Sequence, residues 1–436
     1  MVAPQIGLPR PLPAQNFVYD PCNQNEKDKS EKGNHMLEGL KVIELATYIA
    51  APGAGGLLAD WGADVIKVEP LAGCPMRQFF ASIGADESKG NPVFELDNRG
   101  KKSVAINTAT PEGVEAVKRL VKEADIFLTN VRPGGLERAG LDYASLKEVN
   151  PQLIYASVSG YGLEGPERDR PGFDMAAYYC RSGLGGATTV KGQEPVPIRT
   201  AIGDHTTSMS TTAGILAAVI ERARTGKGRL VESSLMRTGI YTLGSDMAIQ
   251  LKFGKLASNK SRHEVVNPLN NFFHTKDDQW FAVIPRQGNV DWVAMCKAIG
   301  QPDLIDDERF ARARGRKANT AELVDLFDSY FQKEDLAYWG PKLDEQDIVW
   351  APLMQPRDVI NDPQAIAAGS FVDVPHAHAE GTFKAPAGPI RFGGEGNDAA
   401  PQGPSPDLGQ HTAEVLSTMG YSTNEVNELR EAGVIN

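Results

Sequence analysis

The stretch Thr200-Ala201-Ile202-Gly203-Asp204-His205-Thr206-Thr207-Ser208-Met209 precedes an apolar run from Ala213 to Ala223. In that run Ala213, Leu216, Ala217, Ile220 and Ala223 recur at steps of three and four, so they share one helical face. Asp204 therefore lies near the amino end of a helix. There it meets backbone N–H groups without intrahelical partners and the positive end of the helix dipole. Such a site is expected to keep a carboxylate ionised. Two readings follow: a plain helix cap, which Asp commonly supplies, or a catalytic carboxylate.

Basic residues gather at predicted strand ends. Arg99, Lys101 and Lys102 precede one strand, and Asn130-Val131-Arg132-Pro133-Gly134-Gly135 follows another, with Arg138 beyond. Ligands of open α/β sheets bind outside the carboxyl ends of strands. Asn130 and Arg132 sit at such an end, where cations suit a phosphorylated ligand. Ordinary solvated charge is the competing reading.

Other chemistries lack their residues. Gly53, Gly55 and Gly56 with Glu69 resemble a dinucleotide site only superficially. Their spacing is not G-x-G-x-x-G, and they do not lie in the turn leaving a strand. There is no Walker A sequence; Gly226-Lys227-Gly228 follows a helix. His376 and His378 have no partner cluster at metal-ligand spacing, and His263 and His274 are isolated, so no metal site is expected. No G-x-S-x-G elbow anchors a hydrolase triad.

Strands and helices must position these groups. Lys41–Leu45 reads as a strand. A loop with Pro52 and Gly53, a helical patch Ala54–Trp61 and a strand Asp64–Glu69 complete a βαβ unit. Strands at Lys102–Ile106, Ile126–Thr129, Leu153–Val158 and Leu230–Ser233 continue the pattern. Thr110 and Pro111 open a helix whose stripe is Val114, Val117, Val121 and Ala124. Met236–Lys252 reads as one long helix and Lys255–Asn271 as a linker. Trp280–Ile284 is a strand, and Thr412–Met419 an amphipathic helix. Such alternation predicts an α/β protein with an open, doubly wound sheet.

The 436 residues suffice for two or three domains. A net charge of −11 disfavours nucleic acid as a partner. No apolar run reaches the ~18 residues of a membrane span. The cysteines, Cys22, Cys74, Cys180 and Cys296, form no C-x-x-C pair and read as reduced thiols of a cytoplasmic protein. Residues 1–36 read as a flexible tail without a signal peptide's apolar core.

From Leu37 to its end the chain resembles the class III coenzyme A transferases (CaiB/BaiF), the group containing formyl-CoA and carnitine CoA-transferases. The resemblance rests on Leu37-Glu38-Gly39-Leu40-Lys41-Val42-Ile43-Glu44, Leu58-Ala59-Asp60-Trp61-Gly62-Ala63-Asp64 with Val65 to Glu69, and Gly134-Gly135-Leu136-Glu137-Arg138. It rests further on Ser159-Gly160-Tyr161-Gly162, Pro171-Gly172-Phe173-Asp174, Gly203-Asp204 and Thr225-Gly226-Lys227-Gly228. The pattern is most similar to transferases of 2-hydroxyacyl-CoA, such as the phenyllactate and 2-hydroxyisocaproate enzymes.

The resemblance implies that Asp204 is a nucleophile, and that nearby backbone N–H groups stabilise the oxyanions of the reaction. It implies contacts to CoA by Lys101, Asn130, Val131, Arg132 and Arg138. Ile49 and Ala50 join them, and Pro171, Gly172, Phe173 and Asp174 line the pantetheine path. CoA and a carboxylic acid are substrates, and no resident cofactor is implied. The chain departs from formyl-CoA transferases at Ile49, where they carry Gln, and lacks their glycine-rich lid near Pro285-Arg286-Gln287-Gly288. Ile49 with Tyr48, Phe173 and Tyr178 suggests a larger, hydrophobic or aromatic acyl group. The related α-methylacyl-CoA racemases carry His where Phe173 stands; Phe cannot serve as their second base.

The expected architecture is a Rossmann-like large domain over residues 37–238, a connection over 239–271 and a smaller α+β domain over 272–370. Residues 371–436 return to the large domain. Family resemblance implies an interlocked homodimer.

Overall fold

The computed structural model describes residues 35–84, 90–286, 288–393 and 400–436. The expected tail lies almost wholly outside them, as does Gln287 in the region of the expected lid loss.

Six strands form one parallel sheet: β1 Lys41–Leu45, β2 Asp64–Glu69, β3 Lys102–Ala105, β4 Ile126–Thr129, β5 Ile154–Ser159 and β6 Leu230–Ser234. Their order is β3-β2-β1-β4-β5-β6. Val42 and Ile43 are neighbours on β1 and both are fully buried, as both faces of a covered parallel sheet require. Helices cover each face. In chain order they are α1 Ala50–Asp60, α2 Phe79–Ser82, α3 Pro92–Asn98, α4 Pro111–Lys122, α5 Pro133–Ala139 and α6 Tyr143–Val149. Then follow a π-helical turn Asp174–Cys180, α7 Leu184–Thr188, α8 Ile202–Thr225, α9 Leu235–Thr242 and α10 Gly244–Phe253. The long helix expected over 236–252 is two helices, because Leu243 leaves helical geometry (ψ 21°) ahead of Gly244.

Strand order reverses at β1, which has β2 on one side and β4 on the other. The loops leaving β1 and β4 therefore diverge to opposite faces and open a crevice between them. Asn130 fixes that crevice: its Oδ1 accepts from Thr47 N at 3.0 Å, and its Nδ2 donates to Thr47 O at 2.6 Å.

Helix α1 starts at Ala50, four residues before the expected patch, so Pro52 and Gly53 lie inside its first turn and not in a loop. Proline loses nothing there, since first-turn N–H groups have no intrahelical partner. The glycines admit neighbours. A Cβ on Gly53 would meet Ser208 Oγ at 2.6 Å, and one on Gly56 would meet Asp97 O at 2.9 Å. Thr110 caps α4 as the sequence suggests, accepting from Gly113 N at 3.1 Å.

Helix α8 packs on α1 with the face that carries Thr207, Ser208, Thr211, Thr212, Ile215 and Ala218. The apolar stripe read from the sequence is the other face: Ala213, Ala217, Ile220 and Ala223 are exposed. Ser208, Thr211 and Thr212 bury there because their Oγ atoms return to the helix's own carbonyls, as Thr211 does to Thr207 O at 2.7 Å.

A second, antiparallel sheet joins β7 Asn271–His274, β8 Trp280–Val283 and β9 Trp350–Pro352. Its own core contains Phe273, Trp292, Phe327 and Phe331. A hairpin, β10 Phe371–Pro375 and β11 Thr382–Pro386, follows. The carboxyl-terminal residues Val415, Leu416, Val426 and Ile435 pack into the core of the six-stranded sheet.

Candidate active site

A cleft of about 650 Å³ opens at the crevice between β1 and β4. Its wall includes Tyr48, Ile49 and Ala50 after β1, then Asn130, Val131 and Arg132 after β4. Pro171, Gly172, Phe173 and Asp174 line it from the approach to the π-turn, and Asp204 from α8. The fold thus brings together most residues singled out in the sequence.

Three of the residues expected at the site lie elsewhere: Lys101, Arg138 and Tyr178, whose ring is buried and whose Oη donates to Thr242 Oγ1 at 3.3 Å. Lys101 does not reach the cleft. Its ammonium is fully buried, donating to Glu44 Oε2 at 2.6 Å, Pro52 O at 2.8 Å and Asn98 Oδ1 at 3.2 Å. Burial pushes it down to about 8, against the pull of Glu44. A cation spent on Glu44 under α1 cannot hold a phosphate. Arg138 lines a separate groove with Pro111 and Lys118. Asn130 reaches the cleft but spends both ends of its amide on Thr47, so it shapes the wall.

Asp204 is the third residue of α8 and not its cap. The cap position belongs to Ala201, held in the left-handed region at φ 73°. A Cβ disfavours that conformation, so the turn stores strain of order 1–3 kcal/mol. Asp174 satisfies the orphan donors instead: both its oxygens lie 3.2 Å from Gly203 N. Glycine is required at 203, because a Cβ would sit 2.2 Å from Tyr178 Cγ and 2.3 Å from Asp174 Oδ1.

This arrangement reverses the electrostatic expectation. Burial pushes Asp204 up to about 7; Asp174 and Asp97 push the same way, and His205 opposes them. Burial also raises Asp174, against its bond from Gly203. Desolvation and like charge outweigh the helix dipole, which is worth ~0.3–1 kcal/mol at such a site. No hydrogen bond among the described residues ends on the Asp204 carboxylate. The amides expected to stabilise oxyanions beside it are partly engaged: Gly203 N–H by Asp174, and His205 N–H by Ala201 O at 2.9 Å.

Apolar side chains floor the cleft beside Asp204: Ile49, Met76, Phe79, Ile198 and Leu235. Met76 and Phe79 come from a segment tied down by Arg77, which donates to the buried Glu69 at 2.7 and 2.8 Å and stacks 4.2 Å over Phe94. At the mouth Tyr48, itself at φ 62°, meets Phe173 edge to face at 5.3 Å. Two cations that the sequence reading missed also line the wall, Arg168 and Arg170. Their position directly before Pro171 was the available signal.

A carboxylate facing an apolar cleft, with cations along the wall, can receive a thioester whose other end carries phosphates. The model of CoA-transferase family III matches residues 37–412. The (R)-2-hydroxy-4-methylpentanoate CoA-transferase of Clostridioides difficile is 36% identical over 403 residues, covering 92% of this chain and 99% of that one. The cinnamoyl-CoA:phenyllactate CoA-transferase of Clostridium sporogenes is 35% identical, covering 92% and 97%. The crystal structure of a CAIB/BAIF family protein from Brucella suis superposes with a TM-score of 0.78 at 32% identity, over 88% of this chain and all of that one. No described helix is long and apolar enough to cross a membrane. Match, identity and cleft agree: the chain belongs to CoA-transferase family III and is an enzyme that moves CoA between an acyl-CoA and a carboxylic acid.

Proposed function

We propose that Asp204 is the covalent nucleophile of this transfer, and that the acids it handles are hydrophobic or aromatic 2-hydroxy acids. The observation that carries the first part is the Asp204 carboxylate itself, unbonded and facing the cleft. In its ionised form one oxygen attacks the thioester carbonyl; the C–S bond breaks and CoA leaves as thiolate, giving an aspartyl anhydride. The thiolate attacks the aspartyl carbonyl, releasing the donor acid and leaving an aspartyl-CoA thioester. The acceptor carboxylate attacks that thioester and expels CoA again. Thiolate attack on the acyl carbon of the new anhydride then yields product and frees Asp204. One thioester replaces another throughout, so no nucleotide triphosphate is consumed.

Arg132 is suited to the phosphates of CoA, beside Arg168 and Arg170, which are paired with Glu137 and Asp169 and with Glu167, and the Ile49–Met76–Phe79 floor is suited to an apolar acyl group. The names of the two clostridial relatives support 2-hydroxy acids. The exposed stripe of α8 supports a homodimer in which that face is covered. The test uses cinnamoyl-CoA and 3-phenyllactate with purified enzyme. Mass spectrometry should detect phenyllactyl-CoA without ATP, and hydroxylamine should convert Asp204 to a hydroxamate. Labelling at another residue would remove Asp204 from the mechanism.

A further inference from the structure

Asp97 is a second buried acid beside the nucleophile turn, and the mechanism above gives it no role. It lies near the end of α3, 3% exposed, with Oδ1 3.1 Å from His205 Nε2. His205 follows Asp204 directly on α8. Three elements converge to seat this pair. A Cβ on Gly53 of α1 would stand 3.3 Å from Asp97 Oδ1 and 2.6 Å from Ser208 Oγ, and one on Gly56 would stand 2.9 Å from Asp97 O. Ser208 Oγ lies 2.7 Å from Ala50 O and 2.9 Å from Asp204 O, tying the same turn of α8 to the cleft-lining start of α1. Bare glycines on α1 therefore let Asp97 and Ser208 reach α8.

The charges around the turn are unequal. Asp174 from the π-turn and Asp97 from α3 are anions acting on Asp204, and His205, when protonated, opposes them. Burial disfavours the protonated form of His205, and the bond to Asp97 with the charges of Asp97, Asp204 and Asp174 favours it. Asp97 also acts on Lys101, which is bound to Glu44. His205 is not among the cleft-lining residues, so it bears on the reaction through Asp204.

We propose that His205, oriented by Asp97, is a positioning residue whose imidazolium is the fixed counter-ion of the Asp174–Asp204 carboxylate pair, and that it sets the pH at which Asp204 becomes a nucleophile. The inference rests on Asp204 being that nucleophile.

H205Q keeps a donor for Asp97 and removes the cation. The acid limb of kcat/KM, measured with cinnamoyl-CoA and 3-phenyllactate, should move to higher pH by about one unit, since His205 holds Asp204 down and a nearby opposite charge is worth ~1–3 units. Its alkaline plateau should stay within about tenfold of wild type, as only protonation is being tuned. D97N removes both the bond that orients the ring and an anion that raises Asp204, two effects of opposite sign on the limb, so it should move the limb less than H205Q does. H205K keeps a cation and should hold the limb near its wild-type position; thermal unfolding of each variant checks that the fold persists. An H205Q limb that stays in place overturns the proposal, whether or not activity falls, and leaves His205 a structural tie between α3 and α8. A collapsed plateau with the limb unmoved overturns it too, making His205 a participant in the chemistry. Hydroxylamine trapping on wild type separates the underlying reading: no label at Asp204 removes the nucleophile whatever H205Q does.

Discussion

Asp204→Asn tests the site most sharply, because it should make the protein more stable and inactive at once. The substitution keeps shape and removes only the charge. In the fold the carboxyl is raised from 3.8 to about 7 by burial and by Asp174. At ~1.4 kcal/mol per unit, that rise corresponds to roughly 4 kcal/mol that the ionised carboxylate costs the native state. Water and salt in the open cleft screen part of it, leaving about 2–4 kcal/mol. The sign follows from proton linkage. Between pH 4 and pH 7 the folded state binds the proton more tightly than the unfolded chain, so wild-type stability from this group falls as pH rises and levels off above 7. Asp204→Asn has no such dependence. Its advantage should be near zero at pH 4 and full by pH 8.5, a Tm gain of several degrees at ~2 °C or less per kcal/mol. Turnover should fall by several orders of magnitude at every pH. Thermal unfolding at pH 4, 6 and 8.5, beside the transfer assay, reads both. A variant no more stable than wild type at pH 8.5 would refute the claim that burial and Asp174 strain this carboxylate. A variant with near-normal turnover would refute its role as nucleophile.

Five further outcomes are expected. Asp174→Asn removes the anion beside Asp204, so the acid limb of the pH–rate profile should shift to lower pH; an unmoved limb would mean the two carboxyls do not interact. Gly203→Ala forces a Cβ against Tyr178 and Asp174 and should cost about 1–3 kcal/mol in denaturant unfolding. Arg132→Ala should raise the KM for acyl-CoA by roughly 1.5–3 kcal/mol if it holds phosphate, whereas Lys101→Met should leave KM alone and destabilise by less than the ~3–5 kcal/mol of an orphaned buried charge, because Lys67 still holds Glu44 at 2.7 Å. Finally, 2-methylacyl-CoA incubated in heavy water without an acceptor acid should take up no deuterium at the α-carbon. Rapid uptake would restore the racemase reading that Phe173 argues against.

Much of the sheet was legible in the sequence, because buried parallel strands are short runs of apolar, mostly β-branched residues. Val42-Ile43, Val65-Ile66 and Ile126-Phe127-Leu128 could hardly be anything else. Thr110-Pro111 fixed a helix start through local cap chemistry, which needs no distant partner. Gly203-Asp204, Asn130-Val131-Arg132 and Pro171 to Asp174 were likewise recognisable as short patterns, and the crevice at β1 gathers them. Tertiary contact decided the rest. Lys101 reads as a phosphate cation until Glu44, 57 positions away, is found against it. The buried face of α8 is the one with hydroxyls, because periodicity cannot say which neighbour a helix meets. Asp204 reads as an ionised carboxylate at a helix start. Its charge is set instead by partial burial in the assembled cleft and by Asp174 and Asp97, which no local rule joins to it.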